Sequence, residues 1–333
     1  MVTRRRAGAS SVHPESRIYV AGHTGLAGSA LVRALQSAGF RNLVVRRHAE
    51  LELRDARAVR AFFEKERPDY AFLAAARVGG ILANNSYPAD FIVDNLAVQL
   101  NVLQEAHRAG VKRLLFLGSS CIYPRDCPQP MREDYLLSGP LEATNRPYAV
   151  AKIAGIETCW AYNRQHGTSF LAAMPTNLYG PGDNYDLQNS HVLPALIRKV
   201  HEAVARGDAE VVLWGTGRPR REFLYSDDMA EACVFLMTLP EDAFGRLVAP
   251  EVAPLINLGA GEDQSIAELA AVIAEVLGFR GRFAYDAGKP DGTPRKLLDV
   301  SRLSALGWRA RTPLRGGIAL AYRDFVSRLG RSA

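Results

Sequence analysis

The sequence predicts an α/β protein built on a doubly wound parallel sheet, with a smaller mixed α/β region at its C-terminal end. Three observations predict this fold. Short apolar runs alternate with amphipathic helical segments as far as residue 180. A glycine-rich turn joins the first apolar run to the first helical segment, and beyond residue 180 the alternation becomes irregular. We therefore expect one domain over 17–180 and a second over 181–333, with some segments of the second returning to the main sheet.

The composition indicates a soluble globular protein and argues against a nucleic-acid-binding or membrane protein. The 333 residues are 48% hydrophobic and 23% charged, as in soluble globular proteins, and they exceed what one simple core usually holds. Residues 1–16 are small, polar and basic, and we expect a disordered leader there. The leader carries +2 of the net charge of +6, and the remaining +4 suits a small anionic ligand better than a nucleic acid. No apolar run is long enough to span a bilayer, so we expect no membrane partner either.

The number and spacing of the cysteines indicate the cellular compartment and argue against a metal site. The sequence has four cysteines, and none of them forms a C-x-x-C pair. This spacing indicates reduced thiols in a cytoplasmic protein, with no zinc or other metal site and no disulfide framework. The cysteines are Cys121, Cys127, Cys159 and Cys233.

The first functional motif is the turn that follows the strand predicted at 17–21. It reads Gly-His-Thr-Gly-Leu-Ala-Gly over 22–28, and a helix follows to about Gly39. In this context the glycines let a dinucleotide pyrophosphate approach the backbone and sit on the helix N-terminus. A turn with a purely structural role is the alternative. We expect cofactor contacts from Gly22, Thr24, Gly25, Leu26 and Gly28.

The end of the second predicted strand, 42–46, bears on the choice of cofactor. An NAD site favours an acidic residue there, whereas this chain has Arg46 and Arg47. Positive charge suits a 2′-phosphate, so we expect both arginines to bind NADP. Two solvated surface arginines are the alternative, and the acidic Glu50 and Asp55 that follow keep NAD open.

Two further predicted strands end beside the expected cofactor and substrate. The strand over 69–76 ends in small residues, among them Ala75, which let a cofactor lie close to the backbone. A flexible loop over 78–85 and a helix over 88–109 come next. The strand over 112–118 then delivers Ser119, with Cys121 two residues later. Because ligands gather at the carboxyl ends of strands in such sheets, we expect the substrate here.

Tyr148 and Lys152 are spaced i, i+4 on a helix predicted to continue to about Gly167, so they share a face. A cation held beside a phenol lowers its pKa, which makes Tyr148 a proton donor and acceptor near pH 7. The nearby Ser119 hydroxyl suits a carbonyl oxygen. A chance spacing on a helix is the alternative for Tyr148 and Lys152 alone.

The C-terminal half contains one further candidate, His191, which stands before a helix in a region rich in Gly and Asn. Such positions are typical of ligand loops, although a single His is as often structural. We expect Ser265 to cap a helix. The predicted elements are helices over 192–205, 227–239 and 265–277, a strand over 211–215, and basic loops over 217–223 and 289–296.

The glycine-rich turn, Ser119 and Tyr148-x-x-x-Lys152 together resemble the extended short-chain dehydrogenase/reductase superfamily, which has a Rossmann sheet. Longer segments are similar to the GDP-L-fucose synthases, in the same order and over nearly the whole chain from Arg17. Bacterial members often carry arginine where this chain has Thr24 and His48. The segments are AARVGGILANNSYPADF, FLGSSCIYP, PYAVAKIAGIE, MPTNLYGPGDN, NSHVLPALIRK, WGTGRPRREFL and KPDGTPRKLLDV.

The resemblance implies an NADP-dependent enzyme that epimerises GDP-4-keto-6-deoxy-D-mannose at C3 and C5. It then reduces C4 with NADPH to give GDP-L-fucose. The first domain would bind NADP and the second the GDP-sugar. By superfamily analogy the protein would be a homodimer through the helix over 88–109 and the helix that starts near 148. The alternatives are an epimerase or 4-reductase for a related GDP-sugar such as a 4-keto-6-deoxyheptose, and a non-catalytic NADP-binding protein.

The resemblance also implies individual roles. Cys121 and His191 would be the acid/base pair of the epimerisation, and Ser119 with Tyr148 would stabilise the enolate oxygen. Lys152 would hold the nicotinamide ribose. The loop with Pro175, Asn177 and Leu178, together with His191, would contact cofactor and substrate. The GDP end would be bound by Lys199, Trp214, Arg221, Asp291 and Lys296.

Overall fold

The computed structural model describes residues 12–187, 190–289 and 291–332. Helices α1 to α11 span Leu26–Ser37, Ala56–Glu66, Ile81–Ser86, Pro88–Arg108, Arg146–His166, Val192–Arg206, Ser226–Met237, Glu241–Leu247, Ile266–Leu277, Ser301–Ala305 and Leu314–Ser332. Strands β1 to β12 span Ile18–Ala21, Leu43–Val44, Tyr70–Leu73, Arg113–Leu117, Phe170–Pro175, Asn177–Tyr179, Glu210–Trp214, Arg220–Tyr225, Leu255–Leu258, Asp263–Ser265, Arg282–Asp286 and Arg295–Lys296.

The main sheet is parallel throughout and has the strand order β2-β1-β3-β4-β5-β9. Its central strands are buried along their length because helices cover both faces, and they are apolar except for Arg113 at the start of β4. One hydrophobic cluster lies between the sheet and α1 with α7, and another lies between the sheet and α2, α4 and α5. The predicted doubly wound fold is confirmed. The order reverses beside β1, so the ligand crevice of such a sheet opens at the ends of β1 and β3.

A smaller region surrounds β8. This strand pairs with β6 and β12 in parallel and with β10 antiparallel, while β7 and β11 form a separate parallel pair. A third hydrophobic cluster joins it to α6, α9 and α11. Ser265 caps α9 as predicted, in a reciprocal capping box with Glu268.

Parts of three predicted loops prove to be regular elements, since the basic loop expected over 289–296 ends in β12. The basic loop expected over 217–223 is wrong from Arg220 onward, because Phe223, Leu224 and Tyr225 are buried in β8 and the charged residues before them obscure the strand pattern. The flexible loop expected over 78–85 is wrong from residue 81 onward, where α3 begins. The amide of Asn84 donates to the carbonyls of Gly79 and Gly80 at 2.8 and 3.0 Å and closes the start of α3.

Segments of the C-terminal half complete the main sheet. Strand β9 pairs with β5 at the sheet edge, and α7 packs against α1. Of the expected leader, residues 1–11 lie outside the described residues, whereas Val12 packs on the core and His13–Ser16 form a hydrogen-bonded turn. No helix in the described ranges combines the length and the apolar character needed to cross a bilayer.

Candidate active site

The glycine-rich turn after β1 has a shape that only glycine permits at two positions. Gly22 has φ +84°, and a Cβ there would lie 2.7 Å from the backbone nitrogen of Ala75, while a Cβ on Gly28 would collide with the Gly22 carbonyl. The Gly25 amide donates to that carbonyl at 3.1 Å and closes the turn. The result is a cradle of backbone at the N-terminus of α1, which fits a pyrophosphate. It contains the predicted residues Gly22, Thr24, Gly25, Leu26, Gly28 and Ala75.

The two arginines after β2 differ in their surroundings. Arg46 lies over the ring of Phe62 and forms an ion pair of 2.5 Å with the buried Glu66 of α2, so its guanidinium is already bound within the protein. The side chain of Arg47 is exposed and forms no ion pair among the described residues. Arg47 is therefore available to an external phosphate. Arg46 shares Glu66 with Arg17, so its guanidinium is less available than that of Arg47, and its contact with NADP stays a prediction.

Ser119 and Cys121 lie in a tight turn at the carboxyl end of β4. The Ser119 hydroxyl accepts a hydrogen bond of 3.4 Å from the Cys121 amide and so caps the 3₁₀ turn Ser120–Ile122. Burial raises the pKa of the Cys121 thiol, whereas the Ser119 hydroxyl and the charges of Lys296 and Lys152 act in the opposite direction. This cysteine thus shares its pocket with two cations that favour its thiolate.

Lys152 is held under the end of β4. Its side chain is only 3% exposed, and its ammonium donates to the Leu117 carbonyl at 2.8 Å. The ammonium lies 4.7 Å from the ring centroid of Phe116 and 5.8 Å from that of Tyr148. Burial lowers the pKa of Lys152 to about 8. Helix α5 therefore brings the phenol and the ammonium together at the end of β4, as the i, i+4 spacing predicts.

The pKa of Tyr148 does not follow the prediction. Burial raises it, the Cys121 thiol raises it further, and only a hydrogen bond with Ser119 lowers it. The expectation that Lys152 lowers this pKa is wrong for the protein alone, because loss of solvation dominates and the ammonium is bonded to the Leu117 carbonyl instead. The phenol is thus the proton-bearing form near neutral pH, which suits a proton donor.

The lowered pKa of Lys152 leads us to expect that the free energy of unfolding depends on pH. Because the unfolded chain keeps this lysine protonated to about pH 10.4 and the folded protein loses the proton near pH 8, the free energy of unfolding gains a positive slope with pH between these values. The slope is at most about 1.4 kcal/mol per pH unit. Urea unfolding of the wild type and of Lys152→Met at several pH values measures it. Parallel pH curves for the two proteins would contradict the assignment.

Asn177 begins β6, and His191 directly precedes α6. Pro175 ends β5, Asn177 and Leu178 begin β6, and the Asn177 amide donates to the Glu222 carbonyl at 2.8 Å. His191 is an exposed residue directly before α6, and burial lowers the pKa of its ring. The side chain of Asn177 is therefore partly used in joining β6 to β8.

The residues predicted for the GDP end fall into two groups. The ring of Trp214 is 55% exposed, and Lys199 and Lys289 place their ammonium groups 5.1 and 5.4 Å from its centroid. Arg221 and Lys296 are register partners on β8 and β12, and burial lowers the pKa of both. The first group is thus an exposed aromatic face with two ammonium groups beside it, and the second is a pair of adjacent cations of which Lys296 lies near Cys121.

Asp291 supports a loop instead. Its carboxylate accepts hydrogen bonds from the backbone and the hydroxyl of Thr216, at 2.6 and 2.8 Å. Both oxygens are engaged within the protein, so we interpret Asp291 as a residue that shapes the loop after Trp214. The direct contact of Asp291 with the substrate stays a prediction.

Sequence reasoning missed two buried polar residues beside the site, Glu222 on β8 and Asn257 on β9. The Asn257 side chain accepts from the Tyr123 hydroxyl at 2.5 Å and donates to the carbonyls of Met131 and Asp299, so it holds the segment after Cys121. The available signal was a polar residue inside an apolar strand, as in Leu-Ile-Asn-Leu. In the described part of the chain, no three His, Cys, Asp or Glu side chains are grouped so as to hold a metal ion.

A comparison with known protein families finds one whose model matches more than half of the chain. Residues 18–248 match the model of the NAD dependent epimerase/dehydratase family. The chain belongs to this family. The match covers the glycine-rich cradle, the Ser119 turn and the Tyr148–Lys152 helix, which are the parts that the geometry joins into one site.

Similarity within the NAD dependent epimerase/dehydratase family extends over nearly the whole chain. GDP-L-fucose synthase 1 of Arabidopsis thaliana is 55% identical over 92% of each chain. A GDP-6-OMe-4-keto-L-xylo-heptose reductase from C. jejuni superposes with a TM-score of 0.90 at 36% identity, covering 96% of this chain and 100% of that one. A GDP-L-fucose synthetase from Naegleria fowleri bound to NADP gives a TM-score of 0.85 at 28% identity, over 97% of each chain.

Proposed function

We propose that this protein is an epimerase-reductase that converts GDP-4-keto-6-deoxy-D-mannose to GDP-L-fucose with NADPH. The observation that carries the proposal is the cluster of Ser119, Cys121, Tyr148 and Lys152 at the end of β4. The 55% identity to a GDP-L-fucose synthase over 92% of each chain supports the choice of substrate.

NADPH fits the residues on the cofactor side. The backbone cradle of Gly22, Gly25 and Gly28 would hold the pyrophosphate, and Arg47 would hold the 2′-phosphate. Lys152 would bind the nicotinamide ribose. Its pKa, although lowered to about 8, is still above neutral pH, so the ammonium stays charged there. When bound, NADPH supplies a hydride to C4 of the sugar.

Epimerisation requires proton transfer at the carbons beside the 4-keto group. The keto group acidifies those protons, and inversion needs a base on one face of the sugar and an acid on the other. We assign Cys121 and His191 to these positions. Burial favours the uncharged form of both, and the nearby Lys296 and Lys152 help to stabilise the thiolate when it forms. Ser119 and Tyr148 would donate hydrogen bonds to the enolate oxygen.

Reduction uses the same oxygen, the one on C4 of the sugar. As C4 accepts the hydride, the carbonyl oxygen gains an electron pair and takes the phenol proton of Tyr148. The raised pKa of Tyr148 keeps that proton available, and Lys152 stabilises the phenolate that remains. The GDP diphosphate would be bound by Arg221 and Lys296, with Lys199 and Trp214 farther along.

Mass spectrometry of the product formed in D₂O tests the proposal. We expect NADPH oxidation with GDP-4-keto-6-deoxy-D-mannose and two deuterium atoms in the product, one for each inverted carbon. Absence of turnover with this substrate would overturn the proposed specificity. The second candidate, a reductase or epimerase for a GDP-heptose, is favoured by the TM-score of 0.90 to the C. jejuni enzyme. It predicts turnover of the heptose substrate, or deuterium at one carbon only.

The different surroundings of the two arginines predict cofactor discrimination. Arg47→Ala should raise KM for NADPH about tenfold, the cost of one lost charged contact, while leaving KM for NADH unchanged. Arg46→Ala is the matched control, since its guanidinium is bound to Glu66. It should lower Tm without changing the ratio of the two KM values. Steady-state kinetics with both cofactors measures this, and equal effects of the two variants would contradict the role given to Arg47.

We also propose a cytoplasmic homodimer. Helices α4 and α5 pack together and leave Val93, Leu100 and Val150 exposed, which supports a second copy against this face. The four cysteines are unpaired, which supports a reducing compartment. Light scattering should give the mass of two chains, and replacement of Leu100 by Lys should give the mass of one.

A further inference from the structure

Glu222 is completely buried and has no role in the proposed mechanism. It lies on β8 directly after Arg221, and its side chain points away from solvent toward the ends of β9 and β12. A buried carboxylate costs free energy unless it is well hydrogen-bonded, so the contacts of Glu222 indicate what it stabilises.

The carboxylate of Glu222 joins two segments to β8. One oxygen accepts a hydrogen bond of 2.8 Å from the Gly261 amide, after β9, and the other accepts one of 2.9 Å from the Leu298 amide. Leu298 is two residues beyond Lys296. Burial raises the pKa of Glu222 to about 7, even though hydrogen bonds from the Leu298, Gly261 and Ala260 amides and the Thr176 hydroxyl act in the opposite direction. A Cβ on Gly259 would come within 2.8 Å of the Glu222 carboxyl carbon, so this pocket is closely filled.

The backbone of the same residue holds a different loop. The Glu222 carbonyl accepts hydrogen bonds from the Asn177 amide at 2.8 Å and from the Thr176 hydroxyl at 3.2 Å. The side chain therefore bonds to the segment that carries Lys296 and to the turn after β9, with a further contact to the Thr176 hydroxyl, whereas Asn177 is held by the main chain alone. A substitution of the side chain alone leaves the Asn177 contact in place.

The pairing of Arg221 with Lys296 explains why support is needed. These two residues are register partners on parallel strands, and the Arg221 charge lowers the pKa of Lys296. Like charges that are close together and partly shielded from water repel each other when no anion lies between them. The Glu222 carboxylate opposes this repulsion through its bond to Leu298, alongside the pairing of β12 with β8 and the ion pair of Arg295 with Asp263.

We propose that Glu222 is a positioning residue whose carboxylate holds Lys296 beside Arg221, so that both cations face the diphosphate of the GDP-sugar. This inference rests on the proposed function, since it concerns the substrate side of the same site. It predicts that loss of the carboxylate weakens binding of the nucleotide diphosphate and leaves NADPH binding intact.

Glu222→Gln tests the inference with the shape preserved. The amide keeps one acceptor and turns an NH₂ group toward one of the two backbone N–H donors, so one of the two hydrogen bonds is lost. We expect the Kd for GDP, and KM for the GDP-sugar, to rise about tenfold, with a smaller change in kcat. The Kd for NADPH, measured by fluorescence titration, should stay within about twofold of the wild type because the Asn177 contact uses the main chain.

Asp228→Asn is the matched control. Asp228 is also buried, and its carboxylate accepts hydrogen bonds from the Arg311 and Thr312 amides at 2.9 and 2.7 Å, outside the candidate site. This variant should lower Tm without changing the Kd for GDP. If both variants weaken GDP binding equally, or if neither does, the positioning role is overturned.

If Glu222→Gln folds poorly, a second variant still tests the inference. Gly259→Ala displaces the carboxyl group of Glu222 without removing it and should give the same split between GDP and NADPH. Titration with GDP alone also separates this inference from the proposed function. If the wild type binds GDP and the variants bind it more weakly, positioning stands even where the keto-sugar is not turned over. If the wild type turns over the keto-sugar and the variants match it, positioning fails and the proposed function stands.

Discussion

Tyr148→Phe should lower kcat for reduction about 10³-fold while leaving the Kd for NADPH nearly unchanged. The phenol is the proton donor placed at the end of β4, where Lys152 lies 5.8 Å from its ring centroid and Ser119 is hydrogen-bonded to it. Phenylalanine keeps the edge contact with the ring of Phe91, 6.2 Å between centroids, so the packing of α5 on α4 is preserved. Stopped-flow measurement of NADPH oxidation with the GDP-keto-sugar gives the rate.

A matched control distinguishes chemistry from packing in this experiment. Tyr162→Phe changes another tyrosine on α5 that packs beside Phe170, His107 and His166, away from β4's end. It should leave the rate unchanged. If Tyr148→Phe retained full activity, the proton would come from another group and the assignment would be wrong. A protein that only binds NADP would show no turnover in the wild type.

Cys121→Ser and His191→Asn should each slow the exchange of substrate protons with D₂O by about 10²-fold or more, again with little effect on the Kd for NADPH. The reason is that inversion needs both an acid and a base, so the loss of either group stops the cycle at one face of the sugar. Serine in place of Cys121 keeps the size of the side chain but is far less acidic than a thiol. Mass spectrometry of substrate incubated in D₂O without NADPH measures the exchange.

The reduction step provides the internal control for these two variants. A chemically prepared, already epimerised keto-sugar should be reduced by both variants at close to the wild-type rate, since Tyr148 and Lys152 are intact. If a variant lost reduction and exchange equally, the substitution would have disturbed the turn around Ser119. The acid/base role of Cys121 and His191 would then be wrong.

Local patterns explain why much of the fold was predictable. The buried strands and the turn at Gly22 are encoded in neighbouring residues, so the parallel sheet and the cradle followed from the sequence. The spacing of Tyr148 and Lys152 placed both on one helix face in the same way. Strand β8 was missed because Arg220, Arg221 and Glu222 give its first half the composition of a loop.

Contacts between distant residues explain the rest. The partner of Arg46 is Glu66, on the next helix, and no local pattern distinguishes this paired arginine from its exposed neighbour Arg47. The raised pKa of Tyr148 depends on how completely α5 covers it, which is a property of the packed molecule. Likewise Lys152 bonds to a backbone carbonyl on β4, 35 residues earlier in the chain.

The position of β9 has a consequence for how the protein is made. Because β9 pairs with β5 and α7 packs on α1, the cofactor half lacks an edge strand and a covering helix until residue 258 has been synthesised. A nascent chain that ends near residue 180 exposes the edge of β5 and the apolar side of α1, both of which invite aggregation. The ribosome must therefore deliver most of the polypeptide before the cofactor half can become a stable folding unit.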